Sequence, residues 1–246
     1  MTAESAPQRA NLCLPHAQDL KRRESAGSLH VAGKGGRQRT KGPSLQRLLN
    51  SAPRWPLYIC GAIPGIWIFW LALNDQLGAD PVKSLEHQLG IWTLRFIVAG
   101  LAVTPLRRLG GPNLIRFRRA LGLLAFFYAL AHLLSYIVFD RGLNGAEILA
   151  DIFKRPYITF GMVAFAILVP LAATSNAAMI RRLGAAAWQK LHRWIYVAAI
   201  AAVVHFILSV KSWPLEPLIY AALVAALLLI RIGLAARRRL PSRRPV

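Results

Sequence analysis

The chain has 246 residues, 55% of them hydrophobic and only 17% charged, with a mean hydropathy of +0.41. Its 31 Lys and Arg against 10 Asp and Glu leave a formal charge of +21, a balance that in a soluble domain points to nucleic acid. Here the charges crowd the segments between long apolar runs, which is the pattern of a polytopic membrane protein with no nucleic-acid partner. Two cysteines, Cys13 in a polar stretch and Cys60 in an apolar one, make neither a disulfide framework nor a zinc ribbon.

In chain order, residues 1–45 read as a disordered basic cytoplasmic tail. Gln8 to Ser44 is rich in Gly, Arg, Lys, Ser and Gln and has no apolar period, so it buries too little surface to offset its ordering entropy. No apolar core follows a short basic start, which excludes a signal peptide. Its cations suit anionic membrane lipid, and His16 and His30 carry no assigned role.

Residues 46–236 read as a transmembrane domain of six apolar segments, Trp55–Leu73, Leu89–Leu106, Ala120–Phe139, Tyr157–Thr174, Trp194–Val210 and Pro217–Ala236. Each is near the ~20 residues that span a ~30 Å hydrocarbon core. Only the second and sixth contain a charge, Arg95 and Arg231, and Pro64 and Pro170 inside helices are tolerable where neighbours re-satisfy freed carbonyls. Residues 237–246 form a second basic cytoplasmic tail. The expected fold is all-α, a six-helix membrane bundle. Twenty-five Lys and Arg fall on the side of the termini and five on the other, which places both termini in the cytoplasm. No loop exceeds about 20 residues, and there is no GxGxxG, P-loop or CxxC, so nucleotide and substrate chemistry must reside in partners.

Four histidines belong to the membrane body, His87, His132, His192 and His205, and ionisable groups at that depth are functional candidates. His132 lies twelve residues past Ala120 and His205 twelve past Arg193, on segments that run the same way. Both imidazoles therefore sit ~18 Å above the same edge, the arrangement that paired axial ligation of a haem iron needs. The alternative for each is an interhelical hydrogen bond. His192 stands thirteen residues before His205, ~20 Å lower and ~220° around the helix, so it serves a different position, such as a second cofactor at the cytoplasmic boundary. His87 reads equally as a headgroup-level residue. Zinc lacks a third ligand at the depth of the pair.

Other polar groups carry weaker signals. Arg95 suits a haem propionate, a partner or snorkelling. Ser135 and Tyr136, three and four residues past His132, lie on its face and are placed to orient the ring. Phe126, Phe127, Tyr128, Trp194 and Tyr196 are candidates to pack a porphyrin or to anchor the bundle. The Arg116-Phe117-Arg118-Arg119 run suits a cytoplasmic anchor, a flavin phosphate or an acidic donor.

The motifs resemble the MsrQ (formerly YedZ) family. They are Leu77-Gly78-Ala79-Asp80-Pro81-Val82-Lys83, Thr104-Pro105-Leu106, Arg116-Phe117-Arg118-Arg119-Ala120-Leu121-Gly122-Leu123 and Ala131-His132-Leu133-Leu134-Ser135-Tyr136. Arg155-Pro156-Tyr157-Ile158-Thr159, Leu191-His192-Arg193-Trp194-Ile195-Tyr196 and His205-Phe206-Ile207-Leu208-Ser209-Val210-Lys211 complete the set. The likeness covers Leu45 to Gly233; the tail before Leu45 departs from the family's short N-terminus. It implies a ferric-reductase-like, multi-pass subunit of the bacterial inner membrane, carrying haem b, associated with FMN, and passing electrons to MsrP, a periplasmic molybdopterin enzyme that reduces methionine sulfoxide in oxidised proteins. It implies the quinone pool or a cytoplasmic flavin reductase as donor, and His132, His192 and His205 as haem residues. Such a subunit does not bind the sulfoxide itself; its periplasmic loops should dock the partner, and Lys83, Arg141, Lys154, Arg155 and Lys211 are the charges available there. Two other readings stay open: a ferric reductase or quinol-oxidising cytochrome b subunit with another acceptor, and a non-redox transporter or assembly factor.

Overall fold

The computed structural model describes residues 51, 53–210 and 214–237; the tail of residues 1–45, with Cys13, His16 and His30, and Lys211 and residues 238–246 lie outside the described residues. Nine α-helices are described, and no strand occurs among the described residues: α1 (Trp55–Leu73), α2 (Pro81–Arg108), α3 (Arg118–Ser135), α4 (Gly145–Lys154), α5 (Pro156–Ala173), α6 (Ala177–Leu183), α7 (Ala185–His192), α8 (Ile195–Ser209) and α9 (Leu215–Arg237). Helices α1, α2, α3, α5, α8 (with α7) and α9 give six spans long and apolar enough to cross a membrane. The chain is an all-α, multi-pass membrane protein.

The second span begins at Pro81 rather than Leu89. Asp80 caps it by accepting from the Lys83 N–H, and Pro81 takes the first helical position, where its missing N–H costs nothing. The added turns carry Lys83, Glu86 and His87, so no apolar window reaches them. Helices α4, α6 and α7 lie in what the sequence reads as loops; Asn144 and Asn176 start the first two by accepting from the Glu147 and Met179 N–H groups. At the end of α3 the helix widens into a π-turn over Tyr136–Asp140, closed by the Arg141 N–H on the Tyr136 carbonyl at 3.0 Å.

Helix α2 is the axis of the bundle. It packs along α3 and touches α1, α8 and α9, while α8 packs along α5. Leu85, Leu89, Leu94, Phe96, Ile97 and Leu101 of α2 form the core with Leu124, Ala125 and Tyr128 of α3, Ala199 and Val203 of α8 and Val224 of α9. Lipid tails are as apolar as these side chains, so close approach and interhelical hydrogen bonds hold such a bundle. Two devices supply them. On α1, Gly61 and Gly65 lie one turn apart, and a Cβ on either would run into Leu124 or Tyr128 of α3. There the Tyr128 hydroxyl enters the α1 backbone ladder, accepting from the Gly65 N–H at 2.6 Å and donating to the Gly61 carbonyl at 2.7 Å. The second device repairs α2. Pro105 has no N–H to give the Leu101 carbonyl four residues earlier. Arg231 of α9 forks that carbonyl, with Nη2 at 2.6 Å and Nε at 3.3 Å, and its Nη1 donates to the Tyr196 hydroxyl at 2.7 Å.

Charge divides the bundle end from end. All seven Asp and Glu after residue 50 (Asp75, Asp80, Glu86, Asp140, Glu147, Asp151 and Glu216) fall at one end, called here the acidic end. The opposite, basic end holds Arg54, Arg107, Arg108, Arg116, Arg118 and Arg119 and the cations of α6 and α7, with no carboxylate among the described residues. Arg231→Met should leave the Leu101 carbonyl unpaired in the bundle and cost about 1–3 kcal/mol. Reversible unfolding of the detergent-solubilised protein measures this, and an unchanged stability would show that the fork does not hold α9 to α2.

Candidate functional site

Helices α3 and α8 run the same way and set His132 beside His205, ring centroids 6.0 Å apart and planes at 77°. Each ring is fixed by a backbone carbonyl of a neighbouring helix. The His132 Nδ1–H donates to the Glu86 carbonyl of α2 at 2.8 Å, and the His205 Nδ1–H to the Tyr157 carbonyl of α5 at 2.6 Å. A carbonyl only accepts, so each Nδ1 carries a proton, and in the neutral ring the lone pair then stands on Nε2. That second bond is what orients metal-ligating histidines. Glycine makes room for one ring: a Cβ at Gly161 of α5 would stand 2.9 Å from the His205 Nδ1, whereas one at Gly90 of α2 would make ordinary contact with His132 at 3.5 Å.

Both rings line one cavity of about 700 Å³ walled by α2, α3, α4, α5 and α8. Ile91, Leu94, Ile97, Phe165 and Leu168 make its interior apolar, and Lys83, Glu86, Asp140, Arg141 and Arg155 line it at the acidic end. A network ties this mouth together. Asp151 of α4, buried, takes Arg141 Nη2 at 2.8 Å, Arg155 Nε at 3.1 Å and the Tyr136 hydroxyl at 2.8 Å. Arg141 Nε also meets Asp140 at 3.2 Å, and Glu147 lies 4.0 Å from its Nη1. The Lys83 ammonium bonded to Asp80 at 2.5 Å holds that carboxyl below the usual carboxylate range. The charged residues lining the mouth are thus two carboxylates, Glu86 and Asp140, and three cations, Lys83, Arg141 and Arg155, with Asp80, Glu147 and Asp151 meeting those cations from behind.

These residues fit a haem. Metal–imidazole bonds of ~2 Å put the centroids of two rings on opposite sides of one ion ~6 Å apart, the separation of His132 and His205. The apolar interior of the cavity could hold a macrocycle, and Lys83, Arg141 and Arg155 at its acidic end could pair with its carboxylates. Among the described residues no group of three or more His, Cys, Asp or Glu is placed to hold a metal ion without a macrocycle.

His192 is not part of this site. It ends α7 at the basic end, stacked on Trp188 with centroids 3.8 Å apart; its Nδ1–H donates to the Trp188 carbonyl at 3.1 Å and its Nε2 lies 3.5 Å from the Ser175 hydroxyl. His87 does line the cavity, facing Glu216 at 3.7 Å and the Phe206 ring at 5.8 Å. The expected orienting groups are different ones. Ser135 donates to the Ala131 carbonyl in its own helix and Tyr136 to Asp151, so the Glu86 carbonyl holds His132 instead. None of Phe126, Phe127, Tyr128, Trp194 and Tyr196 lines the cavity; Tyr157, Phe165 and Phe206 do. Arg95 lies outside it too, its Nε donating to the Tyr220 hydroxyl at 3.0 Å and its guanidinium over Trp92. Backbone carbonyls that fix a ring leave no side-chain signal; the legible trace was a glycine, Gly161, in an otherwise bulky apolar helix.

Residues 87–203, which include His87, His132 and His192 and stop two short of His205, match the family described as ferric reductase like transmembrane component. Curated proteins of Brucella ovis, Brucella canis and Brucella melitensis are each 55% identical over 192 residues, 78% of this chain and 87% of theirs. All three are called "Protein-methionine-sulfoxide reductase heme-binding subunit MsrQ". The chain belongs to the MsrQ family. Within an MsrQ bundle the glycine at the histidine pair becomes testable. Gly161→Ala should force His205 to shift and cost about 1–3 kcal/mol. Gly122→Ala, with no neighbour within 4 Å of its Cβ, should be neutral or stabilising in the same unfolding measurement. Equal effects would mean that the fit at His205 is loose.

Proposed function

We propose that this chain is the haem b-binding membrane subunit of a two-part protein-methionine-sulfoxide reductase, with His132 and His205 as the axial ligands. One observation carries the reading: two imidazoles, each with Nδ1–H committed to a carbonyl, share an apolar cavity of about 700 Å³. The printed name of the Brucella relatives supports the same function. Haem supplies a one-electron carrier that no side chain of the bundle offers. The chain's own work is to keep both ligands in the basic tautomer and fixed in place. Glu86, Tyr157 and Gly161 do this through backbone alone.

By the excess of cations at the basic end, that end faces the cytoplasm and the acidic end the periplasm of the inner membrane. Electrons then enter at the basic end, from the quinone pool or a cytoplasmic flavin reductase. FMN and the role of His192 are assigned to the same end, where Arg118 and Arg119 stand with no carboxylate among the described residues. They leave at the acidic end for MsrP, which reduces the sulfoxide; this chain does not bind that substrate.

His132→Ala and His205→Ala should each lose most of the Soret absorption per protein while still inserting in the membrane. A normal Soret band in both would rule out the paired-ligand assignment. The purified subunit should accept electrons from an added donor yet turn over no methionine sulfoxide until the molybdoenzyme is supplied. Turnover by the subunit alone, or a haem left reduced after the partner is added, would end the electron-relay reading. Reduction of ferric complexes but not of the partner would select the ferric-reductase alternative.

A further inference from the structure

We propose that α4 is a flap through which haem enters and leaves the histidine cavity, latched shut by Asp151. The inference rests on the haem-binding reading above and adds the route by which the pocket is filled. Five helices wall the cavity, α2, α3, α4, α5 and α8. Four of them belong to membrane spans and pack along one another in pairs, α2 with α3 and α5 with α8. Passage between those parts a span from its neighbour along its length. Helix α4 has ten residues, ~15 Å, which is half of what crosses a ~30 Å hydrocarbon core. It gives the cavity two side chains, Ile148 and Ile152, and its main packing is against α5, the helix that follows it directly.

Both ends of α4 are joints. Gly142 and Leu143, at φ +54° and +64°, are two consecutive left-handed residues between the π-turn and the Asn144 cap. At the other end Arg155 is extended (φ −116°, ψ 101°) ahead of Pro156, which starts α5 and has no N–H to continue α4. On the α5 side the helix is tied close to its joint. The Thr159 hydroxyl donates to the Ile152 carbonyl at 2.5 Å, and Arg155 Nε holds Asp151 at 3.1 Å. Across the gap toward α3 the closure is polar. Asp151, 8% exposed, takes the Tyr136 hydroxyl and Arg141 Nη2, each at 2.8 Å, and Glu147 one turn earlier stands 4.0 Å from Arg141 Nη1. Opening here hands those groups to water at the bundle end, whereas opening between spans hands freed groups to lipid. Removing the charge of Asp151 takes from two guanidinium groups the carboxylate they share, which weakens the closed state far more than the hydrated open one.

The test follows haem loss from the full-length, haem-loaded chain in nanodiscs, with excess apomyoglobin to trap what leaves and the Soret band read over time. Asp151→Asn should speed the loss about tenfold, and Tyr136→Phe, which removes one hydroxyl, about threefold. Arg231→Met loosens the bundle at its opposite end and should leave the rate within about twofold of the unsubstituted chain, which separates a latch from general loosening. Amide exchange reads the flap directly. In Asp151→Asn, residues 145–154 should exchange faster while α2, α3, α5 and α8 keep their protection. Haem loss indifferent to both latch substitutions, or sped equally by Arg231→Met, would overturn the flap, as would exchange that rises in all five walls together. If Asp151→Asn does not insert, Tyr136→Phe against Arg231→Met decides by the same two readouts. A chain that takes up no haem would sink the haem-binding reading and the flap together, whereas haem loss that ignores the latch sinks only the flap.

Discussion

Two hydrogen bonds from imidazole to backbone govern the arrangement around them. The Glu86 and Tyr157 carbonyls lie on α2 and α5, while the rings they hold lie on α3 and α8. Four helices therefore have to keep their relative height and rotation for the pair to exist. A carbonyl is a stricter partner than a carboxylate or hydroxyl, because it dictates the tautomer as well as the orientation. A charged imidazolium would be costly in this cavity, and in the neutral ring the lone pair stands on Nε2.

The rest of the bundle answers the question of how four helices are held in register when lipid provides no hydrophobic pull between them. Part of the answer is glycine at the points of closest approach, Gly61 and Gly65 against α3 and Gly161 against His205. The other part is the repair of interrupted backbone by a side chain from another helix. Arg231 takes the carbonyl that Pro105 frees in α2, so that proline becomes a point of attachment, and Tyr128 inserts its hydroxyl between the Gly65 N–H and the Gly61 carbonyl of α1.

The sequence carried the six spans and the equal depth of His132 and His205, because hydrophobic length and the 1.5 Å rise are strong and local constraints. It missed the first two turns of α2, whose Lys83, Glu86 and His87 hide a helix from any apolar window. It missed α4, ten residues long and amphipathic, within an apparent loop. It offered the wrong neighbours for His132, since helical spacing finds side chains on the same helix and the real partner is a carbonyl on another. Of the cations on the side of fewest cations, only pairing in space shows that Arg141 and Arg155 are bonded to Asp151. His192 was correctly set apart from His205 by its depth.

The measurement that bears most directly on the central claim is the electron paramagnetic resonance spectrum of the oxidised, haem-loaded protein. An iron held by both imidazoles, whose planes stand at 77°, would be low-spin with nearly degenerate orbitals. The expected result is therefore a low-spin ferric signal of the highly anisotropic kind, lost in both His132→Ala and His205→Ala. A high-spin ferric signal, or a low-spin signal that survives either substitution, would contradict ligation by this pair.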